Sequence, residues 1–535
     1  MAHSNPKVIQ ASLPMQGRKT LASAPILWPL TRTDLMLAGF LGVAALLLYI
    51  RTLAPSLLWG DSAEFQTLSY TLGMTHPSGY MTQIMIGKLF TYLPVGNIAY
   101  RVNLMSAFFG AVTVAQVYLL VRMVGGIPVA GISASLMLGL IPLFWRNALV
   151  AESYATAAGM TTTIWLLFLF WRKTQRWQYL FLAGLAGGLS VGIHSTIVMT
   201  AASVIVIMIL TARKRSEWIG ATAGALLGLL ITFSFFLFLD HHNPPSGIYN
   251  TTYLPAHISD GRFTSDFDTP LKRFFTIFPA EHFWSYYFTA ATAETDRRLG
   301  EYLSLHPVWS LAFILIGLVA LFKDNWRDAL YPAIAFLIIW GFAVTVSFSI
   351  YQEFYTPVAV FVFVWYGYGA SRILEAVTEF LAGRQLAIKS ALIMMSAALV
   401  VLPLWQFRVD LTAGIRSGYT TFVRRDHLYP VFAPDKAIRD ALKIVDHVED
   451  NAIVFTDWDK LYSYIYTAHI EEGRTGIAFH LALFDEEIRL SESTLAYIDD
   501  NIDKRPVYFA VFLPELTEHY QVKQISESLY RVYRK

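Results

Sequence analysis

The sequence predicts a polytopic α-helical membrane protein of about eleven spans with a small extracytoplasmic α/β domain at its C-terminal end. Three observations carry this expectation. Of the 535 residues, 55% are hydrophobic and only 15% are charged, against about 25% charged in an ordinary soluble domain. Several apolar runs reach the roughly 20 residues needed to cross a bilayer. The basic residues fall in alternate loops, and from about residue 406 the composition turns to that of a soluble domain.

Residues 1–33 form a mostly polar tail carrying Lys7, Arg18, Lys19 and Arg32. The apolar run 34–51 that follows has no small-residue cleavage site, so it reads as a retained first span with its N-terminus in the cytoplasm. Further candidate spans are 98–122, 127–145, 155–171, 178–193, 195–211, 217–239, 308–322, 329–350, 355–374 and 386–405. With the N-terminus inside, the inner loops hold Arg122, then Arg172, Lys173 and Arg176, then Arg213, Lys214 and Arg215. Lys323 and Arg327 follow, and finally Arg372, Arg384 and Lys389. Basic inner loops are what the positive-inside rule requires. The short outer loops hold little beyond Arg146, and the C-terminal region is left outside. Residues 34–405 are thus a membrane domain with long outer loops at 52–97 and 240–306, and 406–535 are the extracytoplasmic unit.

Between two basic inner clusters, residues 179–211 must go out and return, which puts His194 at the outer turn. Glycine ladders at four-residue spacing, Gly184/Gly188/Gly192 and Gly220/Gly224/Gly228, predict close helix packing here. Residues 81–96, with Lys88 in the middle, read as an interfacial helix on the outer surface. In the C-terminal unit, runs at 452–455, 476–479 and 506–512 read as strands and 485–500 as a helix. No glycine-rich phosphate loop is present.

The absence of cysteine excludes disulfides, thiolate metal sites and a cysteine nucleophile. Asp240, His241 and His242 are adjacent, point in different directions and lack a spaced third ligand, so no metal site is expected. No cofactor and no nucleic-acid partner is expected either; the net charge of +2 is segregated by loop.

The candidate chemistry centres on the stretch TLAPSLLWGDSAEFQTLSYTLGMTHPSGY at 52–80. Asp61 and Glu64 lie i, i+3 on one face of a short helix, and His76 precedes a turn. On the same predicted side lie Glu152, His194, Asp240, His241, His242 and Glu353. Each has a plainer reading. Asp61 is a good helix cap; Glu64 is either a catalytic group or the partner that holds one; His76 and His194 suit turns; Glu152 suits a solvated interface. Arg101 and Arg146 are either phosphate contacts or markers of the headgroup boundary. An acidic residue at a membrane surface without nucleotide loops or metal ligands suits one chemistry well, transfer of a sugar already activated on a lipid phosphate. A carboxylate there acts as general base on an acceptor hydroxyl, and one displacement inverts the anomeric centre.

The runs LAPSLLWGDSAEF, HPSGY and PVGNIAYRVNLMSAFFGAVT, with AESY around Glu152 and GLSVGIHST around His194, resemble the protein O-mannosyltransferase-like membrane family of the GT-C glycosyltransferase superfamily. NAIVFTDWDKLYSYIYTAHIEEGR resembles, more weakly, the segment after the family's membrane region. The resemblance implies a polyprenyl-phosphate sugar donor, an acceptor on the extracytoplasmic face, and Asp61 as the base. It also implies a supporting set of Glu64, His76, Glu152 and His194, with Arg101 and Asn103 in a matching block; Arg146 and His242 join the candidate substrate contacts on residue type and predicted side alone. Ser78 and Met81 replace the prolines of the family's usual HPPGYP turn. Mannose is the sugar of the best-known relatives, and the sugar here stays open. Two other readings compete: transfer to a glycolipid or cell-envelope glycan instead of a protein, and a polyprenyl-lipid transporter. A transporter would carry its charges near the bilayer midplane and show paired repeats; here the charges sit at the outer edge.

Overall fold

The computed structural model describes residues 30–254, 258–259, 262–264, 267–279, 281–347, 351–382, 384–422, 433–482 and 490–535. The tail with Lys7, Arg18 and Lys19 and the start of the expected 485–500 helix lie outside the described residues.

All eleven apolar segments form helices. Helix α1 (Arg32–Thr52) begins at a capping box between Thr31 and Asp34, the reciprocal arrangement that satisfies the first free N–H groups. Two short helices, α2 (Gly60–Thr71) and α3 (Met81–Thr91), follow outside the spans, and α4 (Ile98–Met123) returns through the bundle. The segment 127–145 is broken where Pro142 cannot donate to the helix, giving α5 (Pro128–Leu140) and α6 (Pro142–Asn147). Helices α7 (Tyr154–Thr174), α8 (Trp177–Ser190), α9 (Ser195–Thr211) and α10 (Arg215–His242) complete the first half.

The long loop that follows α10 carries more structure than its length suggested. A two-residue hairpin, β1 (Ile258–Ser259) and β2 (Arg262–Phe263), precedes α11 (Pro270–Ile277) and α12 (Thr292–Ser304). The charged run of α12 is helical because it pairs along one face, Arg298 with Glu294 and Arg297 with Glu301.

The expected spans 308–322 and 329–350 correspond to the two halves of α13 (Val308–Thr345), kinked at Asn325 where φ is −153° and ψ is 76°; residues 348–350 lie outside the described residues. Asp328 explains the kink's location, because it accepts from Asn325 at 2.6 Å and from Arg172 at 3.1 Å. Helix α14 (Tyr355–Phe380) is apolar on every side of its outer half and is buried there, as an all-round apolar helix must be. Helix α15 (Gln385–Gln406) closes the bundle, and α16 (Arg408–Ser417) leads out of it. Among the described residues seven helices have the length and apolarity to cross a membrane, and their exposed Met36, Phe40, Leu230 and Ile393 face outward. The chain is an integral, multi-pass membrane protein.

One end of the bundle is laced by basic ion pairs, Arg122 with Asp34 at 2.7 Å and Arg172 with Asp328. Helices α8 and α10 meet along both glycine ladders. A Cβ on Gly224 would lie 2.0 Å from the Phe181 carbonyl, and one on Gly188 would lie 2.5 Å from that of Ala225.

Past α17 (Lys436–Val445), a five-stranded sheet forms in the order β4-β3-β5-β7-β6. Strands β3 (Ile453–Thr456), β4 (Ala478–Leu481) and β5 (Val507–Phe509) are parallel. Helices α18 (Trp458–Ile465) and α19 (Glu492–Asn501) connect them. The hairpin of β6 (Tyr520–Ser526) and β7 (Leu529–Arg534) adds an antiparallel edge that the hydrophobic pattern did not signal, since its strands are largely polar and half-exposed.

The glycine contact gives a direct test. Gly224→Ala should cost about 1–3 kcal/mol by overpacking and lower the thermal midpoint in detergent. Gly187→Ala, on the same helix pair but with open space around its Cβ, should leave it unchanged. Equal midpoints for the two variants would contradict the packing assignment.

Candidate functional site

Gly60 starts α2 in the left-handed region, φ +57°, a conformation that glycine adopts without strain. Asp61 therefore falls in the first helical turn, where the helix dipole favours a carboxylate. Three residues on, Glu64 is fully buried. The turn after α2 brings His76 back against both. Its backbone N–H donates to Glu64 Oε1 at 2.7 Å, and its Nδ1 makes a close contact with Glu64 Oε2. Its Nε2 lies 3.9 Å from Asp61 Oδ2. The imidazole thus stands between two carboxylates, one sealed and one, Asp61, with a third of its side chain exposed.

Glu152 reaches the same place from the loop before α7. Ser62 Oγ donates to its Oε1 at 2.8 Å, and its backbone carbonyl accepts from Ser106 at 3.2 Å. His194 caps the start of α9, its Nδ1 accepting from the Thr196 N–H at 3.1 Å. Its ring packs 4.9 Å from Tyr154, 5.7 Å from Phe354 and 6.1 Å from Tyr80, and Tyr80 in turn lies 5.0 Å from His76. These rings form one aromatic wall linking His76 to His194. Beside Phe354, Glu353 is paired with Arg146 at 2.6 Å and held by Asn147.

Burial sets the electrostatics. Desolvation disfavours charge on His76, but the charges of Glu64 and Asp61 outweigh it and push the ring up to about 9. Burial pushes Glu64 up, with His76 pulling back. Burial and then the Asp61 charge push Glu152 well above the usual carboxylate range, against the Ser62 hydrogen bond. The cluster therefore favours a proton on His76 and disfavours charge on the buried Glu64 and Glu152.

Asp61, Glu64, His76, Glu152 and His194 come together, with Arg146 at the margin. The other candidates sit elsewhere. Arg101 donates to the carbonyls of Thr91, Val95 and Gly96 at 2.8, 2.8 and 3.1 Å, closing the C-terminal end of α3. Asn103 is buried between Gln66 at 2.8 Å and the Ala54 carbonyl at 3.0 Å, tying α4 to the segment that leads into α2. His242 ends α10, stacks on Phe238 and faces the Thr71 carbonyl at 3.2 Å. Asp240 is locked to Arg273 through two contacts of 2.6 and 2.7 Å. His241, like His242, belongs to the last turn of α10 and not to the loop.

The site also has a member that sequence reasoning did not single out. Trp458, the first residue of α18, donates from Nε1 to Asp61 Oδ1 at 2.7 Å. Its residue lies inside the weaker C-terminal block of the family resemblance, which was its one signal in the sequence.

The fold is that of the GT-C class. The crystal structure of ArnT from Cupriavidus metallidurans bound to undecaprenyl phosphate superposes with a TM-score of 0.56 at 14% identity, covering 94% of this chain and 98% of that one. Within this fold, residues 61–218 match the family described as the protein O-mannosyl-transferase TMEM260 N-terminal domain, so the resemblance read from the sequence holds over the segment that contains the carboxylates. The protein O-mannosyl-transferase TMEM260 of Mus musculus is 28% identical over 256 residues, 46% of this chain and 34% of that protein. The protein of the same name from Dictyostelium discoideum is 24% identical over 116 residues, 21% of this chain and 14% of that protein. The matches thus span about a third or less of these relatives' length.

The charge arrangement predicts a pH-dependent stability. A ring whose proton affinity rises on folding from the ordinary 6.5 to about 9 contributes stability that is whole below pH 6.5 and is lost as pH rises through 9. Thermal midpoints of wild type and His76→Gln should therefore differ most at pH 6 and converge toward pH 9. A gap that stays level or widens over that interval would contradict the assignment.

Proposed function

We propose that this chain is an inverting, polyprenyl-phosphate-sugar-dependent glycosyltransferase acting on the extracytoplasmic face. The observation that carries the reading is Asp61, a part-exposed carboxylate held by Trp458 and faced by His76 at the mouth of the bundle. The family match over 61–218 and the GT-C fold support it. Undecaprenyl phosphate bound to the ArnT relative favours a lipid phosphate as the donor's carrier here too, and the O-mannosyl-transferase relatives favour mannose and a protein hydroxyl.

In this reading the acceptor oxygen attacks the anomeric carbon as its proton passes to Asp61. The bond from that carbon to the phosphate oxygen breaks, and the lipid phosphate leaves with the bonding pair. Glu64 orients His76, whose ring faces the Oδ2 atom of Asp61. Arg146, set beside the aromatic wall through Glu353, supplies positive charge toward the departing phosphate. Glu152, favoured in its neutral form, and the rings of Tyr80, Tyr154 and His194 wall the sugar. The basic ion pairs at the opposite end of the bundle support an N-terminus in the cytoplasm. By that orientation the unit after residue 406 lies outside and covers the site.

One preparation tests catalysis and orientation together. Right-side-out vesicles containing the protein and polyprenyl-phosphate mannose should glycosylate an added serine/threonine peptide, and Asp61→Asn should lower the rate on the order of 10²–10⁴-fold while donor binding persists. Full activity in the variant would remove Asp61 from its role. Transfer confined to inverted vesicles would reverse the orientation, and transfer to an added envelope glycan but not to the peptide would change the acceptor class.

A further inference from the structure

We propose that Trp458, on the C-terminal α/β unit, is the positioning residue of the Asp61 carboxylate, fixing one oxygen so that the other takes the acceptor's proton. This rests on the reading of Asp61 as the base.

Two independent features point to it. The first is the contact itself. The indole Nε1–H has no acceptor capacity, so its 2.7 Å bond to Asp61 Oδ1 uses that oxygen as an acceptor and holds it in place. His76 faces the other oxygen, Oδ2, from 3.9 Å, beyond hydrogen-bond distance. Among the described residues no donor lies within hydrogen-bond distance of Oδ2. One oxygen is held and one is left to react.

The second is where the fold places the indole. In open α/β sheets, functional groups collect just past the carboxyl ends of parallel strands. Trp458 sits two residues beyond the end of β3, which lies between its parallel neighbours β4 and β5. Asp457 caps the helix that begins there, accepting from the Lys460 N–H at 3.1 Å. That helix and the turn that follows it are clamped onto the membrane domain. Tyr462 is fully buried, its carbonyl accepts from Thr67 at 3.3 Å, and the Tyr466 hydroxyl accepts from the Ala99 N–H at 3.1 Å. The indole ring is further confined edge-on by His76 at 5.5 Å and by Tyr462 at 5.6 Å. A partly exposed indole needs no protein acceptor to be satisfied, since water serves. This one is instead aimed at the carboxylate by a docked helix and two flanking rings. The C-terminal unit therefore completes the site.

The test compares full-length wild type, Trp458→Phe, Trp458→His and Asp61→Asn in proteoliposomes with polyprenyl-phosphate mannose and a serine/threonine peptide. Trp458→Phe keeps an aromatic ring but removes the donor together with the indole's second ring, and Trp458→His separates the two effects. The Phe variant should lower kcat roughly 10-fold, leave the donor KM and the thermal midpoint unchanged, and be partly rescued in Trp458→His, which restores a ring N–H. A wild-type kcat in Trp458→Phe, or a loss expressed only in KM, would overturn the proposal. So would equal losses in the Phe and His variants, which would assign the effect to packing. If Asp61→Asn is inactive while Trp458→Phe is unimpaired, the base assignment stands and only the role of Trp458 falls. If Asp61→Asn is active, both fall.

Discussion

Two acidic side chains one helical turn apart, with an imidazole folded back between them, are the interaction on which the rest of this structure depends. Buried carboxylates and a buried imidazolium are each costly alone. Together, Glu64 offsets the charge on His76, and His76 offsets the charge on both acids. The arrangement is asymmetric in exposure. Glu64 is sealed, whereas Asp61 keeps an open side. In the proposed mechanism that asymmetry separates the group that positions from the group that reacts, although the two acids belong to the same short helix.

Holding such a cluster at a membrane boundary requires a rigid surround. The close approach of α8 and α10 along their glycines brings the His194 turn up beside the helix that follows His76, where a Cβ on Gly192 would meet the Thr82 side chain at 2.6 Å. The buried outer half of α14 places Phe354 and Glu353 against the aromatic wall. From the opposite side, the sheet of the C-terminal unit presents the end of β3 to Asp61. The site is thus built from segments that are far apart in the chain and that meet only where the spans end.

The apolar helices were legible because bilayer burial imposes a long apolar run, a signal that needs no tertiary information. The kink at Asn325 was not, because it depends on Asp328 being shared with Arg172 from another helix. The edge hairpin β6–β7 stayed hidden because half-exposed strands carry little alternation. Among site candidates, the i, i+3 spacing of Asp61 and Glu64 was readable directly, since helical geometry puts both on one face. Arg101 and His242 show the limit of that method. Residue type and predicted side placed them near the site, whereas local geometry turned them to the backbone carbonyls at the ends of α3 and α2. Trp458 lies 397 residues from its partner, and only the packing of two units reveals that it reaches Asp61.

The central claim is that one carboxylate accepts a proton during a single displacement at the anomeric carbon. The most direct measurement is the anomeric configuration of the first product formed by wild type from a polyprenyl-phosphate sugar of known configuration, followed by NMR before any equilibration. The account predicts inversion in every product molecule. Retention would mean a covalent sugar on the protein and would contradict the role given to Asp61.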